Sequence, residues 1–122
     1  MAKTLPQALV LLILALTASW PSQVLAHAIV VASSPAPRQT VATRELKIEL
    51  RFNSRIDRSR SRLVIVRPGG AQETLAIKEG GDGETIEAEA KALEKGAHRL
   101  LWQTLSVDGH VTHGEIPFEV DR

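Results

Sequence analysis

Five side chains carry most of this chain's capacity for metal chemistry: His27, His98, His110, His113 and Asp108. The densest grouping is Ser106-Val107-Asp108-Gly109-His110. On an extended backbone, residues two apart point to the same side, so a carboxylate oxygen and an imidazole nitrogen converge on one ion. Asp-Gly between apolar segments is also a tight-hairpin signal. On these residues alone both readings stand.

His27 is the other pole. Lys3 supplies a weak positive n-region, Ala8 to Trp20 an apolar h-region, and Val24-Leu25-Ala26 places small residues at the positions a signal peptidase reads. Cleavage after Ala26 is therefore expected, leaving residues 1–26 as a signal peptide and 27–122 as the mature domain. His27 then carries a free backbone amine beside its imidazole. Two nitrogens on one residue close a chelate ring, which suits a tetragonal ion such as Cu(II). The alternative is an uncleaved anchor. In that case the nitrogen is an amide and the chelate does not form.

Length and composition bound the rest. The 96 residues of the expected mature chain make one small domain. Lys3 is the only charged side chain before residue 27, so 14 basic side chains balance 14 acidic ones. Such balance argues against general attraction to nucleic acid, and any partner must be recognised locally. Cysteine is absent, which removes disulfides and thiolate sites although a signal peptide implies an oxidising compartment. The h-region is short for a membrane span, and nothing later is continuously apolar.

The elements that must position these residues read as short strands. In Glu45 to Phe52, Leu46, Ile48, Leu50 and Phe52 alternate with Lys47, Glu49 and Arg51, as a half-solvated antiparallel strand requires. Ala28–Ser33, Leu63–Val66, Glu73–Ile77, Thr85–Ala88, Ala97–Leu105 and Gly114–Val120 are the other expected strands. About seven such strands with turn signals between them predict an all-β sandwich. Glu87 to Lys95 has good helix propensity and is expected to form at most one short helix or turn. His98, Leu100 and Trp102 share one face of their strand, so His98 is expected in the core with one hydrogen-bond partner. Arg55, Arg58, Arg60 and Arg62, with serines between the last three and without interleaved aromatics, read as a solvated loop or edge strand.

Taken together, His27-Ala28, Ser34-Pro35-Ala36, the strand ending at Phe52, Gly96-Ala97-His98-Arg99-Leu100-Leu101-Trp102, the Asp108-Gly109-His110 motif and Gly114-Glu115-Ile116-Pro117-Phe118-Glu119-Val120 resemble the CopC family of periplasmic copper-binding proteins. The resemblance spans essentially the whole mature domain. It implies a single Greek-key β-sandwich, Ig-like or cupredoxin-like, holding one Cu(II) near an edge. Carried over by position, it implies that His27 donates amine and imidazole, His110 an imidazole and Asp108 an oxygen. Three nitrogens and one oxygen favour Cu(II) over Cu(I). It further implies a periplasmic carrier or buffer that hands copper to an inner-membrane transporter of the CopD type.

The chain departs from the family in places. Members with a second, Cu(I), site build it from methionines and a histidine, whereas the only methionine here is Met1, which is expected to leave with the signal. No Cu(I) site of that kind is expected. Pro37-Arg38-Gln39 lacks a glycine expected in that turn, and His98 stands where the family leads one to expect an aromatic. His113, three residues past His110, is aimed away by strand alternation, unless a bend before Gly114 turns it toward the metal.

Two other functions compete. A copper-dependent oxidative enzyme of the lytic polysaccharide monooxygenase type would also use a processed terminal histidine. The small domain, the absence of tyrosine and a carboxylate beside the metal all weigh against it. A metal-free Ig-like interaction module is the third reading.

Overall fold

The computed structural model describes residues 28–122, so His27 and the expected signal peptide lie outside the described residues. Eight strands follow in order: β1 (Val30–Ser34), β2 (Thr40–Val41), β3 (Leu46–Phe52), β4 (Ile56–Val66), β5 (Gln72–Leu75), β6 (Thr85–Ala90), β7 (Gly96–Ser106) and β8 (Val111–Val120). They form a three-stranded sheet, β1-β3-β6, packed on a five-stranded sheet, β2-β8-β7-β4-β5. Only β4–β5 and β7–β8 are hairpins within one sheet; every other connection crosses to the opposite sheet, in the Greek-key manner. Among the described residues no helix is long and apolar enough to cross a membrane.

Period-two patterning decides which faces meet. Ile48, Leu50 and Phe52 of β3 and Ile86, Ala88 and Ala90 of β6 turn inward, against Leu63 and Ile65 of β4, Leu100 of β7, and Ile116, Phe118 and Val120 of β8. With no disulfide to restrain the unfolded chain, this apolar layer supplies the main stabilisation, at roughly 25 cal/mol per Å² buried.

The helix expected within Glu87–Lys95 does not form. β6 runs antiparallel to β3 from Arg51↔Thr85 to Leu46↔Ala90, and the chain then turns to bury Leu93, whose N–H donates to Arg44 O at 3.0 Å. Small alanines at alternate positions fit the closed inner layer, and cross-strand packing outweighs an intrinsic preference of a few tenths of a kcal/mol per residue.

The arginine run is likewise part of a strand. Arg58 to Arg62 belong to the first half of β4, where the register against β7 shifts between Asp57 and Arg62 and β5 pairs only with residues 63–66. This half is therefore a bulged segment with an open edge on the β5 side. Asp57 organises it by accepting hydrogen bonds from the Ser59 N–H at 3.1 Å and the Ser59 hydroxyl at 2.6 Å.

Two anomalies of the sequence find local explanations. Arg38 itself adopts the left-handed conformation (φ 66°) that a glycine would have taken, in a turn closed by Gln39 N–H donating to Ala36 O at 3.1 Å. His98 is 1% exposed, stacks on Phe118 at 5.2 Å, and places Nδ1 3.0 Å from Gly96 O. It is the core histidine that alternation predicts.

Candidate metal centre

The site is built where β7 turns into β8. Gly109 N–H donates to Ser106 O at 2.9 Å, and Ser106 N–H donates to His110 O at 2.9 Å. Gly109 has φ 91°, a conformation that costs an L-residue with a side chain roughly 1–2 kcal/mol. Asp108-Gly109-His110 is thus a tight hairpin turn, and this turn brings its two polar side chains together. His110 Nδ1 lies 3.2 Å from Asp108 Oδ2, with both side chains a little under half exposed.

Ser106, which the sequence analysis quoted but gave no role, braces this pair. It is 3% exposed and its hydroxyl donates to His110 O at 2.9 Å. The Asp108 carboxyl is held below its usual range, first by the Ser106 hydroxyl and then by His110. The single hydroxyl proton cannot serve His110 O and Asp108 at once. Its firm acceptor is the carbonyl at 2.9 Å, so the contact with His110 is the steadier influence on Asp108. The resulting pair is an ionised carboxylate beside an imidazole, facing solvent.

The turn is anchored to the rest of the sandwich by backbone contacts that no motif announces. Val107 N–H donates to Arg55 O at 3.3 Å, and Ile56 pairs with Ser106. Two residues before Arg55, Asn53 receives the start of the described chain: Ile29 N–H donates to Asn53 Oδ1 at 2.8 Å and Asn53 N–H to Ile29 O at 3.0 Å. Ala28 is 2% exposed. The chain therefore enters the sandwich at the end that carries Asp108 and His110. Ile29, Val107 and Val111 leave that end with exposed apolar side chains.

His113 sits elsewhere. On β8 it pairs with Gln103 of β7 and is exposed on the outward face of the five-stranded sheet, while its neighbour Thr112 turns in to meet Thr104 Oγ1 at 3.1 Å. Among the described residues no three histidine, aspartate or glutamate side chains gather around one point. Asp108 and His110 thus form a pair of candidate donors, apart from His113 and His98. Trp102 is partly buried against the core, edge-on to Phe52 at 5.3 Å, and lies flat across Gly114, where a Cβ would come within 2.5 Å of the indole.

The profile of the CopC domain matches residues 30–121. The chain belongs to the CopC family. The family match covers every strand described above and includes both Asp108 and His110. Among solved structures, CopC from Methylosinus trichosporium OB3b is similar with a TM-score of 0.70 and 26% identity, over 78% of this chain and 94% of that one. PcoC, a methionine-rich copper resistance protein from Escherichia coli, gives a TM-score of 0.60 and 25% identity over 79% of this chain and 100% of that one. The copper transport protein CutJ of Bacillus subtilis (strain 168) is 26% identical over 106 residues, which are 84% of this CopC-family chain. The chain spans only 19% of the length of CutJ.

Proposed function

We propose that this CopC-family protein holds and carries copper in the periplasm, taking one Cu(II) per chain as cargo. In this reading the signal is cut after Ala26, and His27 contributes its amine and imidazole. His110 adds an imidazole and Asp108 an oxygen. The observation that carries the proposal is the Asp108–His110 half-site, 3.2 Å between donors, at the end of the sandwich where residue 28 enters. An ionised carboxylate and an imidazole together lack two donors for a tetragonal ion. A processed His27, one residue before buried Ala28, would supply both.

The names of the relatives support copper as the cargo: CutJ is a copper transport protein and PcoC a copper resistance protein. PcoC is described as methionine-rich, whereas this chain has Met1 alone. A single oxidised-copper site, without Cu(I) exchange between two sites, follows from that composition. Handover to an inner-membrane transporter of the CopD type fits a carrier. A non-enzymatic role fits the half-site better than oxygen activation does, because Asp108 occupies a position that oxygen chemistry needs open.

Mass spectrometry of the secreted protein, followed by Cu(II) titration, tests the reading. The expected result is a chain beginning at His27 that binds one equivalent of Cu(II), with a nitrogen-rich tetragonal spectrum. A chain that retains residues before His27, or that binds no copper stoichiometrically, contradicts it.

A further inference from the structure

The outward faces of the two sheets are unlike. On the three-stranded sheet, charges answer one another: Lys47 pairs across the strands with Glu89, whose Oε1 also lies 3.1 Å from Lys78 Nζ. On the five-stranded sheet there is instead an open groove of about 430 Å³. Its floor is the cross-strand pair Val64 and Leu101, both half-buried. Beside that floor runs one row across three strands, Arg62 of β4, Gln103 of β7 and His113 of β8, while Gln72 of β5, paired with Val66, lines the opposite side.

Among the described residues, none of these four polar side chains has a hydrogen-bond or ion-pair partner. Together they offer a guanidinium fork, two primary amides and an imidazole, a set rich in donors. The one carboxylate on the groove, Glu115, lies 3.5 Å from Arg99 Nη1. With Glu115 engaged by Arg99, Arg62 is the uncompensated charge on the groove, which disfavours a cation and favours an anion. Arginine is the side chain best matched to a carboxylate, and an apolar floor asks for an apolar body. The volume suits a small molecule.

We propose that this groove binds a small organic carboxylate, its charged end against Arg62 with Gln103 and His113 donating, and its apolar body on Val64 and Leu101. The proposal is independent of the copper reading, since neither Asp108 nor His110 lines the groove. It gives His113 a role that the metal half-site does not.

Titrating the purified full chain with benzoate, followed by ¹H–¹⁵N NMR, tests it. The expected result is saturable shifts confined to the residues around 62, 101, 103 and 113. Arg62→Gln should weaken binding at least about tenfold, as loss of a charge-assisted contact does. Gln103→Ala should weaken it severalfold, and Lys47→Gln on the other sheet should leave it unchanged. Arg62 and Gln103 are exposed and unbonded, so their replacement leaves the fold intact. Shifts that never saturate, inorganic phosphate binding as well as benzoate, or wild-type affinity in Arg62→Gln would each overturn the proposal.

Discussion

The molecule contains two hairpins closed by the same pair of backbone hydrogen bonds. Between β4 and β5, Arg67 N–H donates to Ala71 O at 2.8 Å and Gly70 N–H to Arg67 O at 2.9 Å. Between β7 and β8, Ser106 N–H donates to His110 O and Gly109 N–H to Ser106 O, both at 2.9 Å. Gly70 and Gly109 hold equivalent left-handed positions, φ 98° and 91°. The side chains differ. Arg67 spends its guanidinium on Glu73 at 2.8 Å, on Ala92 O at 2.9 Å and on Lys91 O at 3.0 Å, which ties the turn to the chain after β6. Asp108 and His110 face each other and the solvent. One backbone device thus carries two different side-chain sets: the first turn uses its polar groups to tie down the chain, and the second presents an Asp108–His110 pair at the surface.

The largest expected effect separates the two turns directly. Structural metal sites in small peptides are worth on the order of 10–16 kcal/mol, so one of four donors accounts for a few kcal/mol. His110→Ala should therefore lower Cu(II) affinity by about 100-fold or more. Arg67→Ala should leave copper binding as it is and cost about 1–2 kcal/mol of stability in denaturant unfolding. Copper loss in Arg67→Ala would erase the contrast.

Asp108→Asn should weaken Cu(II) binding by about 10- to 100-fold. Its pH behaviour sharpens the point. Ser106 and His110 lower the Asp108 carboxyl from its ordinary 3.8, so the ionised form is favoured and persists at every pH above about 4. Copper released on acidifying from about pH 7 to 5 then reflects protons taking the nitrogen donors. The slope of log affinity against pH over that range should be the same in Asp108→Asn as in the parent. A shallower slope in the variant would show Asp108 titrating there.

Gly70→Ala and Gly109→Ala should destabilise the fold by similar amounts, about 1–2 kcal/mol each, because both force a side chain into left-handed backbone. Only Gly109→Ala should also weaken copper binding, since it disturbs the spacing of Asp108 and His110. The smallest effect belongs to His113→Ala, with Cu(II) affinity within about twofold of the parent, as expected for a residue farther along β8 on the outward sheet face. Equal losses in His113→Ala and His110→Ala would bring His113 into the metal site.

Much of this was legible in the sequence, and what was hidden has physical causes. β3 and β8 announce themselves because one face is apolar and the other carries charges, and β7 because His98, Leu100 and Trp102 alternate along it. The first half of β4 does not: Asp57 to Arg62 are all polar, and the segment is a strand only through its irregular pairing with β7 and its Asp57–Ser59 contacts. β6 looked partly helical because alanine and glutamate favour helices, and only β3 alongside converts their alternation into burial. Asp108 and His110 were visible as a motif. Ser106 beneath them carried only a weak signal, as one of several polar residues at the end of β7. The Arg55 carbonyl and the Asn53 clasp on Ile29 carried none, because backbone acceptors meet their donors only in the folded chain.

The central claim is that a free His27 amine completes the half-site at Asp108 and His110. The most direct test is a Cu(II) competition titration of two forms, one beginning at His27 and one with a single glycine added before it. The added residue should lower affinity by about 100-fold, because the amine becomes an amide and the chelate ring is lost. Equal affinity in the two forms would contradict it.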